Sequence, residues 1–276
     1  TSIVNKLVWH NDCIITAGLR NIKIWKENQK SVTRSPGSSS LLKGRNVLLK
    51  QFLNSNFFDI AILSTFEILV LSDQNNLGLV DLTEDSIIIR NLMTLPSHTN
   101  QILVDKLGEN IILARSRVLE KISINEILQE ASKNFDVDPK NIKPTPSSPT
   151  KLVKRSGVLG LQNIFGANKI AYLKDSKEIM VVDFDLEDTP KSLIDSLITN
   201  LNGLKRCSNN DILLWSNEGI IKKYNYENSS ISEFFNVSLP NDDYLDNSLN
   251  SLDFSENGED LILGDKLGNI WFYQKR

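Results

Sequence analysis

The stretch that decides the fold is 251–272, which reads SLDFSENGEDLILGDKLGNIWF. It contains three short apolar runs, and Asn, Asp, Gly and Glu fill much of the space between them. Each run is too short for a helix, and the residues between the runs favour tight turns. The stretch therefore predicts three consecutive strands joined by turns.

The last two of these runs form a pair that recurs along the chain. Pairs occur at 14–18 with 21–25, 67–73 with 77–81, 110–114 with 118–122, 170–173 with 179–182, 211–215 with 219–224 and 260–264 with 268–272. They are spaced by roughly 40 to 55 residues, at or just beyond the period of a propeller blade. Read as hairpins, they supply the two middle strands of each blade. The inner strands are then predicted at 3–9, 58–64, 101–107, 159–165, 203–208 and 249–255.

Residues 251–265 together with 268–271 resemble one WD repeat almost position for position, and 21–26 is similar to the end of another. The residues near the place of the signature Trp-Asp are Trp25, Asp81, Asp183, Tyr224 and Trp271. The resemblance implies a divergent WD-repeat β-propeller, an all-β fold of six or seven four-stranded blades with the last blade incomplete. Trp25 and Trp271 are expected at corresponding places in third strands, buried between blades.

Residues 1–276 are predicted to form a single propeller domain with two interruptions. Residues 27–45 are polar and predict a loop between the third and fourth strands of blade one. Residues 124–157 predict a short helix followed by a disordered insert rich in Pro and Ser. Residues 190–201 have helix-like leucine spacing where an outer strand is expected, so both interpretations stay open. The strand that would close the last blade is expected upstream in a longer protein or from a partner.

The composition of the chain disfavours several classes of protein. The net charge of −3 disfavours a general electrostatic grip on nucleic acid. The two cysteines, Cys13 and Cys207, are far apart and are expected to be core residues in a reducing compartment. No apolar run is long enough to span a membrane and no signal peptide is evident. We therefore expect a soluble intracellular protein, nuclear or cytoplasmic.

The residues that usually carry catalysis are sparse. His10 and His98 are the two histidines, and each is expected to be a capping or surface residue. The chain has neither the spacing of a zinc site nor a phosphate-binding glycine loop nor a nucleophile elbow. The sequence predicts no catalytic, metal or cofactor site, and the protein is not expected to be an enzyme.

The insert carries the most distinctive surface motif. Ser148 begins a Ser-Pro-x-Lys pattern of the kind that cyclin-dependent kinases prefer, and Thr145 and Ser35 each precede a proline. These three residues are candidate phosphorylation sites. Lys151, Lys154 and Arg155 form a basic patch that the added phosphate charge would pair with or mask.

The function expected from this pattern is that of a non-enzymatic protein-interaction scaffold in a eukaryotic multiprotein complex, regulated by phosphorylation of the insert. Its expected ligands are other proteins or peptide motifs on a propeller face. The first alternative is a coat or nuclear-pore type of propeller, completed by a partner's strand or blade. The second is a chromatin- or nucleic-acid-associated propeller, and the third is a hydrolase with its site in the central channel.

Overall fold

The computed structural model describes most of the chain. The described residues are 4–27, 42–83, 85–95, 99–105, 107–115, 118–134, 151–154, 158–164, 168–174, 178–195, 201–207, 211–216, 219–237, 248–254, 260–265 and 267–274.

These residues form six antiparallel sheets, each a blade of a β-propeller. Blade one comprises β1 (Val4–His10), β2 (Cys13–Gly18), β3 (Asn21–Glu27) and β4 (Leu42–Asn46); blade two comprises β5 (Phe57–Ile62), β6 (Glu67–Ser72), β7 (Asn76–Asp81) and β8 (Ile89–Thr94). Blade three comprises β9 (Thr99–Val104), β10 (Asn110–Arg115), β11 (Val118–Ser123) and β12 (Lys151–Lys154); blade four comprises β13 (Val158–Ile164), β14 (Lys169–Lys174), β15 (Glu178–Asp183) and β16 (Lys191–Asp195). Blade five comprises β17 (Leu201–Arg206), β18 (Asp211–Ser216), β19 (Ile220–Asn225) and β20 (Ser230–Asn236); blade six comprises β21 (Leu249–Phe254), β22 (Asp260–Asp265) and β23 (Ile270–Gln274).

Within every blade the strands follow one another in chain order, from the inner strand outward. The inner strands of neighbouring blades lie side by side, and β1 contacts both β5 and β21. Blade one therefore packs against blade six, and the ring is closed by side-chain packing between the first and last blades. The predicted β-propeller is confirmed with six of the six or seven blades expected, and over the described residues its last blade has three strands.

The hydrophobic core is divided among the interfaces between blades, because the middle strands are buried on both faces. Among the described residues, sixteen buried apolar residues fill the interface between blades one and two and fourteen fill the next. The interface between blades six and one contains four, namely Val4, Leu7, Ile14 and Ile262. Over the described residues, the seam where the first and last blades meet thus has the smallest number of buried apolar residues.

The two predicted interruptions both contain regular structure. Residues 42–45, assigned to the polar loop, belong to β4, which pairs with β3. Residues 151–154, assigned to the disordered insert, form β12 and pair with β11. In both places an extended segment gains backbone hydrogen bonds from an open strand edge, which local composition does not reveal. Residues 28–41, 135–150 and 155–157 lie outside the described part of the chain.

The structure assigns the start of the insert and the leucine-spaced segment of blade four. The insert begins with the helix α1 (Ile124–Asn134), which buries Ile124, Ile127 and Ala131 in the core between blades two and three. Residues 191–195, where leucine spacing had suggested a helix, form the outer strand β16 paired with β15. Sheet pairing therefore prevails over the helical period in blade four.

Candidate interaction site

Blade six ends in an open sheet edge. Its third strand, β23, pairs with β22 and, over the described residues, with no other strand. Each of the other five blades has a fourth strand against the corresponding edge. An unpaired edge presents a row of backbone N–H and C=O groups to which an extended segment can bind.

The register between β22 and β23 determines which backbone groups of β23 face away from β22. The Asp265 N–H donates to the Asn269 carbonyl at 3.1 Å, next to the pair Gly264 and Ile270. Hydrogen-bonded and non-hydrogen-bonded pairs alternate in an antiparallel ladder. Trp271 and Tyr273 therefore bond inward to β22. The N–H and C=O groups of Ile270, Phe272 and Gln274 face the open edge.

A groove of about 960 Å³ lies between this edge and blade one. Its residues come from β1, β2, β3 and β4 on one side and from β23 with its preceding turn on the other; they are Val4, Ile14, Thr16, Ala17, Gly18, Asn21, Lys23, Trp25, Leu42, Gly268, Asn269, Ile270, Trp271 and Phe272. Lys23 is the one charged residue among these lining residues. The groove is therefore mostly apolar, with a single cation.

Trp25 occupies the blade-one wall of the groove. Its indole Nε1 donates to the Thr16 hydroxyl at 2.9 Å, and the Lys23 Nζ lies 5.3 Å from the ring centroid. The ring also lies beside Gly44 of β4, where a Cβ atom would come within 2.8 Å of it. Trp25 is thus fixed on its own blade, and one side of the ring remains available to the groove.

Aromatic residues flank the open edge on both faces. Phe272 contacts Trp9 of blade one with ring centroids 5.8 Å apart, and Tyr273 contacts Phe235 of blade five at 5.3 Å. Phe272, Phe234 and Phe235 are respectively 51%, 43% and 39% exposed. Exposed aromatic residues of this kind are characteristic of protein interfaces. The chemical capacity of the site is therefore hydrophobic contact combined with backbone hydrogen bonding.

Two charged clusters join the inner strands of neighbouring blades. Asp59 is bound by the Lys6 Nζ at 2.8 Å and by the Ile102 N–H at 2.8 Å. Asp253 is bound by the Lys205 Nζ at 3.0 Å and by the Trp9 N–H at 2.7 Å. Each carboxylate is already held by a lysine and a backbone donor. These groups tie blades together, and the structure gives no sign that they converge on a substrate.

His10, Cys13 and Cys207 lie in the described residues, and their contacts are those of structural side chains. His10 is buried, and its Nε2 lies 2.7 Å from the Thr65 carbonyl oxygen. Cys13 is buried and its thiol donates to the His10 carbonyl, while Cys207 is half-buried. Burial raises the pKa of both thiols, that of Cys207 to about 11. His98 lies outside the described residues.

The described residues offer neither a metal site nor a membrane-spanning helix. In the described ranges, no three His, Cys, Asp or Glu side chains are placed to hold a metal ion. No helix in the same ranges is long and apolar enough to cross a membrane. The phosphorylation candidates Ser35, Thr145 and Ser148 lie outside them, as does Arg155. Lys151 and Lys154 are described only as backbone positions of β12.

The whole chain aligns with a solved structure. The WD40 β-propeller domain of Doa1 aligns with a TM-score of 0.63 over 100% of this chain and 93% of that one, at 12% sequence identity. The chain has the WD40 β-propeller fold. No model of a protein family matches the sequence, and no curated protein matches it.

The strand register determines which residues occupy equivalent positions in the third strands of the blades. Trp25 pairs with Ile14, and Tyr224 pairs with Ile212 at the corresponding place in blade five. In blade six the corresponding pair is Leu261 with Tyr273. The prediction that Trp271 matches Trp25 is therefore wrong. The position in blade six that corresponds to Trp25 is occupied by Tyr273, because the preceding turn sets the register. Trp271 lies two residues before that position.

The other signature residues lie at the ends of third strands. Asp81 ends β7, where the Thr83 hydroxyl donates to it at 2.6 Å and lowers the pKa of the Asp81 carboxyl. Asp183 ends β15, and hydrogen bonds from Asp188 and from Lys169 lower its pKa. Trp25 and Trp271 are half-buried, not buried as expected. Both are among the residues that line the groove; Trp25 packs against the apolar cluster between blades six and one, and Trp271 against the cluster between blades five and six.

Proposed function

We propose that this WD40 propeller is a non-enzymatic protein-interaction scaffold and a subunit of an intracellular multiprotein complex. The observation that carries the proposal is the exposure of aromatic residues on both sides of the open edge of blade six, Phe272 on the side of blade one and Phe234 and Phe235 on the side of blade five. Exposed aromatic side chains lower the solubility of the free protein, and they stabilise a complex when a partner protein covers them. Six packed sheets give it a rigid base.

The proposal is tested by affinity purification of the tagged chain from its native cells, followed by size-exclusion chromatography. The expected result is a stoichiometric partner that remains bound after a high-salt wash, because the contact is mainly apolar. The double variant F234S/F235S should lose that partner. The matched control is L53S, which changes an exposed leucine between blades one and two. A chain that elutes as a monomer from a native extract would contradict the proposal.

Regulation through the insert is part of the same proposal. Its support is the sequence motif around Ser148, and a phosphate there would add a charge of about −1.5 to −2 close to Lys151, Lys154 and Arg155. S148E and S148A should change partner binding in opposite directions, and S147A serves as the control. Equal binding by S148E and S148A would remove phosphoregulation from the proposal. Nucleic-acid association, one of the alternatives, is tested by a salt titration against duplex DNA.

A further inference from the structure

A second cavity, of about 580 Å³, lies between blades one and two, and its lining residues differ from those of the groove beside β23. One wall comes from blade one, and the other comes from the segments that join β5 to β6 and β7 to β8 in blade two. Among the lining residues the cations Lys26, Lys43 and Arg45 outnumber the one carboxylate, Asp12, by two. The chain as a whole has a net charge of −3. The cavity is therefore a local concentration of positive charge on an acidic protein.

The strand register of blade one places the three cations on the face that is turned toward blade two. Lys26 of β3 is paired with Lys43 of β4, and Arg45 is paired with Ile24. Paired residues of an antiparallel sheet project from the same face, and residues two apart along a strand share that face. Ile24 is buried in the core between blades one and two, so this face is the one that looks into the cavity. The pairing of β3 with β4 thus brings the three cations together at one wall.

The pairing of Lys26 with Lys43 is electrostatically unfavourable in the chain alone. Like charges directly opposite each other in a sheet are destabilising. Asp12 offsets little of this repulsion, because its carboxylate lies 3.4 Å from the Lys26 Nζ and both side chains are more than half exposed. Arrangements that cost stability locally are expected at functional sites. An anion bound between the cations would remove the repulsion, so this wall has the electrostatics of an anion-binding site.

Contacts between the two blades hold the buried part of the cavity in place. The His10 Nε2 lies 2.7 Å from the Thr65 carbonyl oxygen, and the Asn11 side-chain amide donates to the same oxygen at 3.1 Å. The buried Cys13 thiol donates to the His10 carbonyl at 3.1 Å. These contacts fix the spacing of the two walls before a ligand arrives. A site preorganised in this way loses less entropy when the ligand binds.

The wall contributed by blade two offers apolar surface instead of cations. Phe66 is 57% exposed, Leu82 is half-buried and Ile87 is buried, and all three line the cavity. A cavity of about 580 Å³ is in the range that holds an organic ligand and is larger than one small anion requires. The favoured ligand therefore joins an anionic group to an apolar body.

We propose that this cavity binds the phosphate group of a phosphorylated serine, threonine or tyrosine side chain, with an apolar neighbour of that residue packed against Phe66. A phosphate monoester carries a charge of about −1.5 to −2 and three acceptor oxygens, which matches the excess of two cations. A single carboxylate would leave part of this positive charge unbalanced. Arg45 can bind two phosphate oxygens through its planar guanidinium, while Lys26 and Lys43 act as point charges.

A membrane phosphoinositide offers the same phosphate chemistry, but the surroundings of the cavity disfavour it. Asp12 is 74% exposed, and Asp85 is an exposed carboxylate in the connection between β7 and β8. An anionic bilayer surface would meet these carboxylates as well as the cations, whereas a single phosphorylated side chain enters the cavity alone. A peptide ligand is therefore favoured over a membrane.

The first experiment uses the chain produced in bacteria and a peptide library with a fixed central phosphoserine, phosphothreonine or phosphotyrosine and randomised flanking positions. We expect binding to phosphorylated peptides that have an apolar residue next to the phosphorylated one, and no binding to the unphosphorylated library. The best peptide is then measured by fluorescence anisotropy, with glutamate in place of the phosphorylated residue as a charge control. Failure of every phosphorylated peptide to bind, or equal binding of the glutamate peptide, would overturn the proposal.

Matched variants assign the binding to the cavity. K43Q and R45Q should each weaken peptide binding about 10-fold or more, because each removes a hydrogen bond to a charged group. K50Q is the control, since Lys50 is exposed in the connection between β4 and β5 and is not among the residues that line the cavity. K43Q should not lower the Tm, because it removes the like charge opposite Lys26. Equal peptide affinities of K43Q, R45Q and K50Q would overturn the assignment to this cavity.

Two further measurements identify the source of the phosphate. Phosphatidylcholine vesicles that contain phosphatidylinositol monophosphate should not sediment the chain; vesicle binding that R45Q abolishes, without peptide binding, would overturn the peptide assignment. The chain is also purified from its native cells and treated with phosphatase. A rise in peptide affinity after treatment would show that a phosphorylated residue of this same chain occupies the cavity, and an unchanged affinity would assign the phosphate to another protein.

This site goes beyond the proposed scaffold surface, and the two fail separately. F234S/F235S changes exposed residues of blade five and should bind the phosphorylated peptide as the unaltered chain does. Loss of the peptide from R45Q with retention of the native partner would support the cavity and leave the scaffold surface standing. Loss of peptide binding from F234S/F235S, with R45Q unaffected, would overturn the cavity as the phosphate site.

Discussion

At the scale of single residues, Asp59 shows how one carboxylate holds three blades. It lies on the inner strand of blade two, accepts a hydrogen bond from the Ile102 N–H of blade three and forms an ion pair with Lys6 of blade one. The Asp59 side chain is 3% exposed, so its bonds are made in a region from which water is largely excluded. Removing one partner from such a group leaves the others desolvated and unpaired.

We predict that D59A lowers the free energy of unfolding by about 2–4 kcal/mol. D59N should cost less, because an amide oxygen can still accept the bond from Ile102. The control is D12A, since Asp12 is 74% exposed and lies 3.4 Å from Lys26; an exposed pair of this kind contributes about 0–1 kcal/mol. Urea unfolding measures all three variants, and equal losses in D59A and D12A would refute the prediction.

The thiols give a second prediction at this scale. Burial raises the pKa of the Cys207 thiol to about 11, with the Asp211 carboxylate adding to the shift. A raised thiol pKa means less reactive thiolate at neutral pH, and the thiolate fraction should rise tenfold per unit between pH 7 and pH 9. In a C13S background, alkylation of Cys207 by iodoacetamide should therefore be slow at pH 7 and accelerate with pH. Faster alkylation in the native state than in guanidinium would contradict the raised pKa.

At the scale of elements, strand positions could be predicted because β-branched runs and turn residues are local signals. The inner strands were placed to within three residues at each end, from β1 to β21. The strand β12 was missed because its four residues follow a proline-rich segment and pair with β11, which is distant in sequence. The partner of Asp59 and the groove at β23 were also missed. Both depend on how blades pack, which no single segment encodes.

The helix α1 was predicted from spacing, and its energetic weight can be tested. Ile127 is buried between blades two and three, whereas Leu128, the next residue, is 37% exposed. I127A should lower the free energy of unfolding by about 2–4 kcal/mol. L128A is the matched control and should cost less than about 1 kcal/mol. Similar losses in the two variants, measured by urea unfolding, would mean that the helix does not pack by the face seen here.

At the scale of the whole molecule, a propeller is a ring, and its weakest interface determines where the ring opens. Over the described residues that interface is the seam between blades six and one, where four apolar residues are buried, compared with sixteen between blades one and two. Asp253 of blade six offsets part of this lost packing. It binds both the Lys205 ammonium of blade five and the Trp9 N–H of blade one. Over the described residues, the unpaired edge of β23 and the weak seam are therefore two consequences of the same three-stranded blade.

The ring-opening prediction follows from this geometry. D253A should lower the free energy of local opening at the seam by about 2–4 kcal/mol, because it leaves the Trp9 N–H and the Lys205 ammonium without their shared acceptor. Hydrogen exchange should then accelerate in β1 and β21 while β10 and β14, on the far side of the ring, keep their native protection. The variant E233A is a suitable control, since Glu233 is an exposed carboxylate on β20. Uniform acceleration across all six blades would instead show that the ring unfolds as one cooperative unit and that the seam has no separate stability.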